Sequence, residues 1–335
     1  MLRKSACKQE STVSTFPHSF FSPYSPYFVH NVRLQDHGPL AEVSKTTAPH
    51  PVLILYNYEP DQLSHHSVHG SHVLFVNEGL VDFDRELSRG SKDGIQTSGN
   101  GSGNIIPNDG SSDHSLFLFR VITVCYAGVV FTLESIRNQI QSGKVYYFTK
   151  DLKGERTRKV ITGVNRVLTH EETGHLKSYE RDRAVRKWCK RNGIPIMEYN
   201  QTGVTRCLSS RDDYSKLFRR FADRPLWPTP DALRLASVRS RLAQGLILRN
   251  RCHEPLRPES IREIPAQHRV DRLERQSGWE TEGQRVLASF LESRAKGYSA
   301  GISSPNTSWT SGGRISPYLT WGHLSTKSVV HALKR

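Results

Sequence analysis

One segment constrains the fold of this chain more than any other: Thr169–Ile194, THEETGHLKSYERDRAVRKWCKRNGI. It reads as a strand end, a polar loop and a basic amphipathic helix. Val164–Leu168 is a short apolar strand that delivers the HEETG loop. In Ser178–Asn192, Tyr179, Ala184, Val185, Trp188 and Cys189 lie on or near one helical face, with Arg183, Arg186, Lys187 and Lys190 opposite. Gly193 ends the helix, and Ile194–Tyr199 reads as the next strand. A strand, a helix and a strand in that order make a parallel pair with a crossover. Val52–Tyr56 (VLILY) is apolar throughout and bounded by Pro51 and by Asn57 and Pro60, the pattern of a parallel strand covered on both faces. No hairpin signal is evident, so the expected class is α/β with a parallel sheet.

At 335 residues the chain can form two domains with cores that need no disulfide staples. An apolar content of 36% is low for a compact globule and predicts that part of the chain is disordered. The five cysteines (Cys7, Cys125, Cys189, Cys207, Cys252) form no C-x-x-C pair, which argues against a zinc ribbon or a disulfide framework and for a reducing compartment. No apolar run approaches the ~20 residues of a membrane span; Leu116–Leu133 is the nearest and carries Arg120. The expectation is a soluble intracellular protein, with nucleus or organelle undetermined. The net charge of +15 is uneven: Arg181–Arg251 holds 17 Lys/Arg against 6 Asp/Glu. Such an excess favours a polyanion, although a solvated basic face or linker has the same composition.

Along the chain, Met1–Tyr27 is rich in Ser, Thr, Pro and Phe and reads as a disordered or targeting-like segment, or as a misplaced gene start. Asn31–Glu42 has turn chemistry at Asp36–Pro39 that opens a helix, and Val73–Leu87 has helical apolar spacing. Ser91–Asp113 (Gly/Ser/Asn/Asp-rich) and Lys144–Lys159 (hydrophilic) read as insertions. Leu116–Val124 and Ala127–Thr132 are β-rich, and Leu133–Gln141 is helical. Pro225–Pro230 marks a boundary, and Ala232–Arg272 reads as basic linker. From Gly278 onward, Val286, Leu287, Phe290 and Leu291 form a helical stripe.

Few groups have the pattern of a reactive site. Glu171 and Glu172 stand where a sheet strand ends, the usual place for ligands in open α/β sheets, yet they equally suit the positive end of a helix. His65 and His69 in SHHSVHGSH have metal-ligand spacing with no acid or cysteine nearby, so scaffold is the better reading and no metal is expected. The five tryptophans (Trp188, Trp227, Trp279, Trp309, Trp321) read mostly as core anchors. The glycine- and serine-rich turn Gly312, Gly313, Arg314, Ile315, Ser316, entering a helix over Ser316–Gly322, offers free N–H groups to an anion; alone, it also fits an ordinary N-capped helix.

Taken together, several blocks carry a resemblance. HEETG (His170–Gly174), the YERDRAVRKWC helix and Gln201–Pro225 resemble the N-terminal domain of the photolyase/cryptochrome family. Gly278–Tyr298 (GWETEGQRVLASFLESRAKGY) and Thr310–Ser325 (TSGGRISPYLTWGHLS) resemble the start of its flavin domain. VRLQDHGPL (Val32–Leu40) and Ser67–Leu87 add weaker support. The resemblance implies an N-terminal Rossmann-like parallel-sheet domain over 28–225, a linker over 226–272 and the start of an all-α FAD-binding domain over 273–335. It implies FAD as cofactor, with Tyr298, Gly312, Gly313, Arg314, Ile315 and Ser316 as cofactor-binding residues, and an antenna chromophore of unspecified identity near the HEETG loop. Relatives carry hydroxyl residues at Gly312 or Gly313. No metal and no catalytic residue is implied within these blocks.

By resemblance the function is that of a blue-light-driven, FAD-dependent deoxyribodipyrimidine photolyase, repairing pyrimidine dimers flipped out of DNA. The alternatives are a cryptochrome-type photoreceptor and a non-catalytic basic α/β module that binds nucleic acid. Members of the family continue well beyond the R-x-S-P-Y-L segment, which predicts an incomplete gene model or a decayed copy. The lack of G-x-G-x-x-G after any predicted strand argues against a nicotinamide dehydrogenase.

Overall fold

Val52, Ile54, Tyr56 and Tyr58 turn to one side of their strand and Leu53 and Leu55 to the other, and all six are buried. Two-sided burial is why this segment is apolar without alternation. The computed structural model describes residues 25–28, 31–45, 52–90, 122–143, 145–150, 156–174, 176–230, 237–238 and 256–334. In chain order its elements are β1 (Ser25–Phe28), α1 (Gly38–Ser44), β2 (Val52–Tyr58), α2 (Pro60–Leu63), α3 (Gly70–Gly90), β3 (Ile122–Tyr126), α4 (Val129–Gln141), β4 (Val145–Lys150), β5 (Arg156–Val160), β6 (Val167–His170), α5 (Leu176–Arg191) and β7 (Ile196–Tyr199). There follow α6 (Tyr214–Ala222), β8 (Ser237–Val238), α7 (Glu280–Glu292), α8 (Tyr298–Gly301), α9 (Ser308–Ser311), α10 (Ser316–Thr320) and α11 (Thr326–Leu333).

Five strands form a parallel sheet in the order β3-β2-β1-β6-β7. On one face Val32, Leu40 of α1, and Val73, Val76, Leu80 and Phe83 of α3 pack against β2. On the other, α4 and α5 pack Val129, Leu133, Ile136, Ile140, Val185 and Trp188. Each fully buried Leu, Ile or Phe of these layers contributes about 1.5–3 kcal/mol relative to exposure.

The outer side of α3 carries a third core. Phe75 packs there with Leu287 of α7, Tyr318 of α10, Leu324, and Val329 of α11. Gly278 lies so close to α3 that an added Cβ would fall 1.7 Å from the Phe75 carbonyl oxygen, so only glycine fits. Polar ties reinforce the seam. Asp36, with a left-handed φ of 54°, pairs with Lys327 at 2.7 Å and accepts from Ser325 Oγ and the Trp227 N–H. The Glu280 carboxylate accepts the N–H groups of Leu34 and Gln35 at 2.7 and 3.1 Å. Arg275 pairs with Glu78 of α3. His323 is fully buried against Phe75 and Tyr318, and burial lowers its imidazole to about 3, so it stays neutral.

The structure departs from the sequence expectations in four places. Lys144–Lys159, read as a loop-like insertion, contains β4 and most of β5, which pair antiparallel as a hairpin that β8 extends. Ala127–Thr132, read as strand, supplies the first turn of α4. Val129, Thr132, Leu133 and Ile136 all face the sheet at helical spacing, and this burial outweighs the β-branched preference. Ser25–Tyr27, read as part of a disordered segment, lie in the central strand. Ile261 and Ile264, assigned to a linker, are fully buried in the first core. Ser91–Asp113 and Leu116–Arg120 lie outside the described residues. Among the described residues no helix is long and apolar enough to cross a membrane, and no group of three or more His, Cys, Asp or Glu side chains has metal-binding geometry.

Candidate functional site

Arginines cluster in two places, and the surroundings differ. The first is the C-terminal edge of the parallel sheet, where Glu59 follows β2, Glu171 and Glu172 follow β6, and Glu198 lies in β7. Arg181 of α5, 8% exposed, reaches Glu59 at 2.8 Å, Asp182 at 3.2 Å and Glu172 at 3.3 Å. Arg206 pairs with Asp182 at 2.5 Å and Glu198 at 3.0 Å, and donates to the Glu172 carbonyl. Burial pushes the Glu59 and Glu171 carboxyls upward, against the pull of Arg181 and Arg206 respectively. Glu172 accepts the N–H groups of Thr173 and Gly174 just ahead of α5, so the helix-entry reading of this acid is the one the geometry supports. The space left beside Arg181, Asp182 and Glu198 is about 10 Å³, room for one water at most. This crevice is filled by its own side chains.

The second cluster is on the helical side. After α7 a 3-10 turn, Arg294–Gly297, leads to Tyr298 at the head of α8, then to α9 and the turn into α10. Arg294 donates to the Gly312 carbonyl at 2.5 Å and to the Val286 carbonyl at 2.7 Å. An added Cβ on Gly312 would come 2.6 Å from the Ser308 carbonyl oxygen, whereas one on Gly313 would meet only Ile315 at 3.9 Å. Arg314 takes a left-handed φ of 55°, offers its carbonyl to Gln276 and lays its guanidinium 3.7 Å from the Trp309 ring centroid. Ile315 anchors the turn in the third core and Ser316 begins α10, which ends at Thr320, shorter than expected. Tyr298 is half-exposed and meets Phe290 edge-on at 5.7 Å.

Of the residues expected to bind cofactor, Gly312, Gly313, Arg314, Ile315 and Ser316 thus form one turn. Arg294 fastens that turn to α7, and Phe290 links it to Tyr298 through its own contact with Arg294. Among the described residues, nothing accepts from the backbone N–H of Gly313, Arg314, Ile315 or Ser316, and no carboxylate pairs with Arg294 or Arg314. Burial lowers the Arg294 pKa, and the neighbouring charges of Arg314 and Arg285 lower it further. Four unbonded N–H donors beside two guanidiniums that meet no carboxylate can receive an anion.

Sequence reasoning missed Arg294 and misread Trp309. Only Trp188 among the tryptophans is fully buried; Trp309 is 59% exposed and Trp279 is 43% exposed. Arg294 lies beyond the end of α7 in a 3-10 turn, and the i, i+5 spacing of Arg314 from Trp309 is not a helical-face spacing, so periodicity could not show them. His65 and His69 bond their neighbours Ser67 and Ser71, and His69 lies 5.6 Å from His268.

Neither the known protein-family models nor the curated proteins contain a match to this chain. Solved structures do match. A bacterial class III photolyase from Agrobacterium tumefaciens is 15% identical with a TM-score of 0.58, covering 97% of this chain and 55% of that one. The cryptochrome of Synechocystis sp. PCC6803 is 15% identical with a TM-score of 0.62, covering 96% and 56%. An archaeal photolyase from Sulfolobus tokodaii, solved with two FAD molecules, is 16% identical with a TM-score of 0.54, covering 93% and 55%. This is the photolyase/cryptochrome fold. The chain spans a little over half the length of these photolyase and cryptochrome chains, and at such identity the likeness speaks for the fold alone.

Proposed function

We propose that this chain is a flavin-binding protein of photolyase/cryptochrome type. In this reading the parallel sheet with helices on both faces is a Rossmann-like domain, and 273–335 open an all-α FAD-binding domain. The observation that carries the proposal is the turn at Gly312–Ser316 beside Arg294. It presents donors and positive charge that no acid among the described residues meets, which suits the diphosphate of FAD. Tyr298 stands at the edge of the same site. Bound flavin supplies the light-driven electron transfer; the residues named here hold, orient and electrostatically balance it.

The favoured activity is repair of pyrimidine dimers in DNA. Arg183, Lys187, Lys190 and Arg191 on α5 and Lys216, Arg219 and Arg220 on α6 are exposed and fit a phosphate backbone. A cryptochrome-type photoreceptor is the second reading, since the Synechocystis cryptochrome has the same fold. One experiment addresses both. Protein loaded with FAD and reduced is illuminated with blue light in the presence of a dimer-containing oligonucleotide, and the return of thymine absorbance is followed. Light-dependent recovery supports repair. Bound flavin without recovery supports the photoreceptor. Failure to retain FAD contradicts both and leaves a basic nucleic-acid-binding module.

A further inference from the structure

Trp309 is the most exposed tryptophan of the chain, and among the described residues its ring contact is the Arg314 guanidinium at 3.7 Å. An exposed indole is ordinary by itself. This one is set apart by its company. Among the described residues neither Arg314 nor Arg294 has a carboxylate partner, and the Arg294 pKa is lowered by burial and further by the charge of Arg314. Phe290 lies under Arg294, its ring centroid 5.7 Å from the guanidinium, and half-exposed Tyr298 meets Phe290. The result is an open patch of two cations and three aromatic rings. The flat Arg314 head occupies one face of the indole, and much of the rest is exposed.

That chemistry recognises a flat ring attached to more than one phosphate. Two guanidiniums balance two phosphate charges, and an indole beside them supplies a stacking face that tolerates any aromatic base. We infer that Trp309 is a ligand-contacting residue that stacks on the adenine of a bound dinucleotide while Arg314 and Arg294 hold its diphosphate. The inference rests on the flavin reading above and adds to it the adenosine-diphosphate half as the principal anchor. It also assigns two residues, Trp309 and Arg294, that the resemblance did not.

The test is a fluorescence titration of the full chain with FAD, ADP and riboflavin, in wild type, Trp309→Leu and Trp309→Phe. Trp309 is exposed, so circular dichroism and melting should not change in either variant. The expected result is that FAD and ADP both quench a tryptophan component that Trp309→Leu removes, while riboflavin binds far more weakly. Trp309→Leu should weaken FAD and ADP by roughly 5- to 100-fold, the range of a base–aromatic stack, with Trp309→Phe recovering most of the loss. Binding of FAD with unchanged affinity in Trp309→Leu overturns this inference and leaves the flavin reading standing. Binding of riboflavin as tightly as FAD overturns the adenosine-diphosphate assignment. Absence of FAD binding in wild type overturns both.

Discussion

Arg181 and Arg206 at the sheet edge and Arg294 and Arg314 at the helical turn are the same side chain put to opposite uses. At the sheet edge Glu59, Glu172, Asp182 and Glu198 surround the largely buried guanidiniums, and the space left beside them holds one water at most. Around the turn the protein supplies carbonyls and aromatic faces but no acid. A charge that the fold balances internally holds elements together. One left without a carboxylate beside unbonded N–H groups is, in the function proposed above, the ligand's anchor. Open α/β sheets ordinarily bind ligands at their strand ends; beside Arg181, Asp182 and Glu198 of this sheet only about 10 Å³ is left.

The largest effect should come from breaking the balanced cluster. Arg181→Met leaves Glu59 and Glu172 buried without their cation, and should cost about 3–5 kcal/mol, read as a fall in melting temperature. FAD affinity of the folded fraction should hold. Gly312→Ser should cost about 1–3 kcal/mol, because its Cβ would press on the Ser308 carbonyl and displace the turn. Arg314→Ala should do the reverse of Arg181→Met. Melting should shift by less than the equivalent of ~0.5 kcal/mol, FAD should bind roughly tenfold more weakly, and that loss should shrink as salt is added.

The seam between the two regions has its own pH signature. Burial pushes the Glu280 carboxyl from 4.5 to about 7, against the N–H groups of Leu34 and Gln35. A carboxyl whose folded pKa is raised favours the folded state below its unfolded value, and that contribution disappears as pH rises through 7. Melting temperature should therefore decline between pH 5 and pH 8 (roughly the span bracketing that titration), and Glu280→Gln should flatten the decline. The smallest effect should come from Gly313→Ser, whose side chain enters open space and should alter stability by less than about 0.5 kcal/mol.

Much of the fold was legible because burial leaves a pattern. β2, α3 and α5 are visible as an unbroken apolar run, a helical stripe and a two-faced basic helix. The hairpin was not, because Lys144–Lys159 is too rich in Lys and Arg to stand out as strand. The start of α4 was hidden behind Val129, Val130 and Thr132, whose branching argues for strand until the sheet beneath them is seen. Ile261 and Ile264 sit in a stretch of arginines and prolines with no period at all. As for the site, the turn at Gly312–Ser316 was found by resemblance. Its electrostatic character was not, since Arg294 meets Gly312 across 18 residues and Arg181 meets Glu59 across 122.

A crystal structure of the chain grown with FAD tests the central claim most directly. The account predicts diphosphate oxygens on the N–H groups of Ile315 and Ser316 and within reach of Arg294 and Arg314, with the Arg181 crevice still closed. A diphosphate lodged at the strand ends, or an ordered Gly312–Ser316 turn without ligand at saturating FAD, would contradict it.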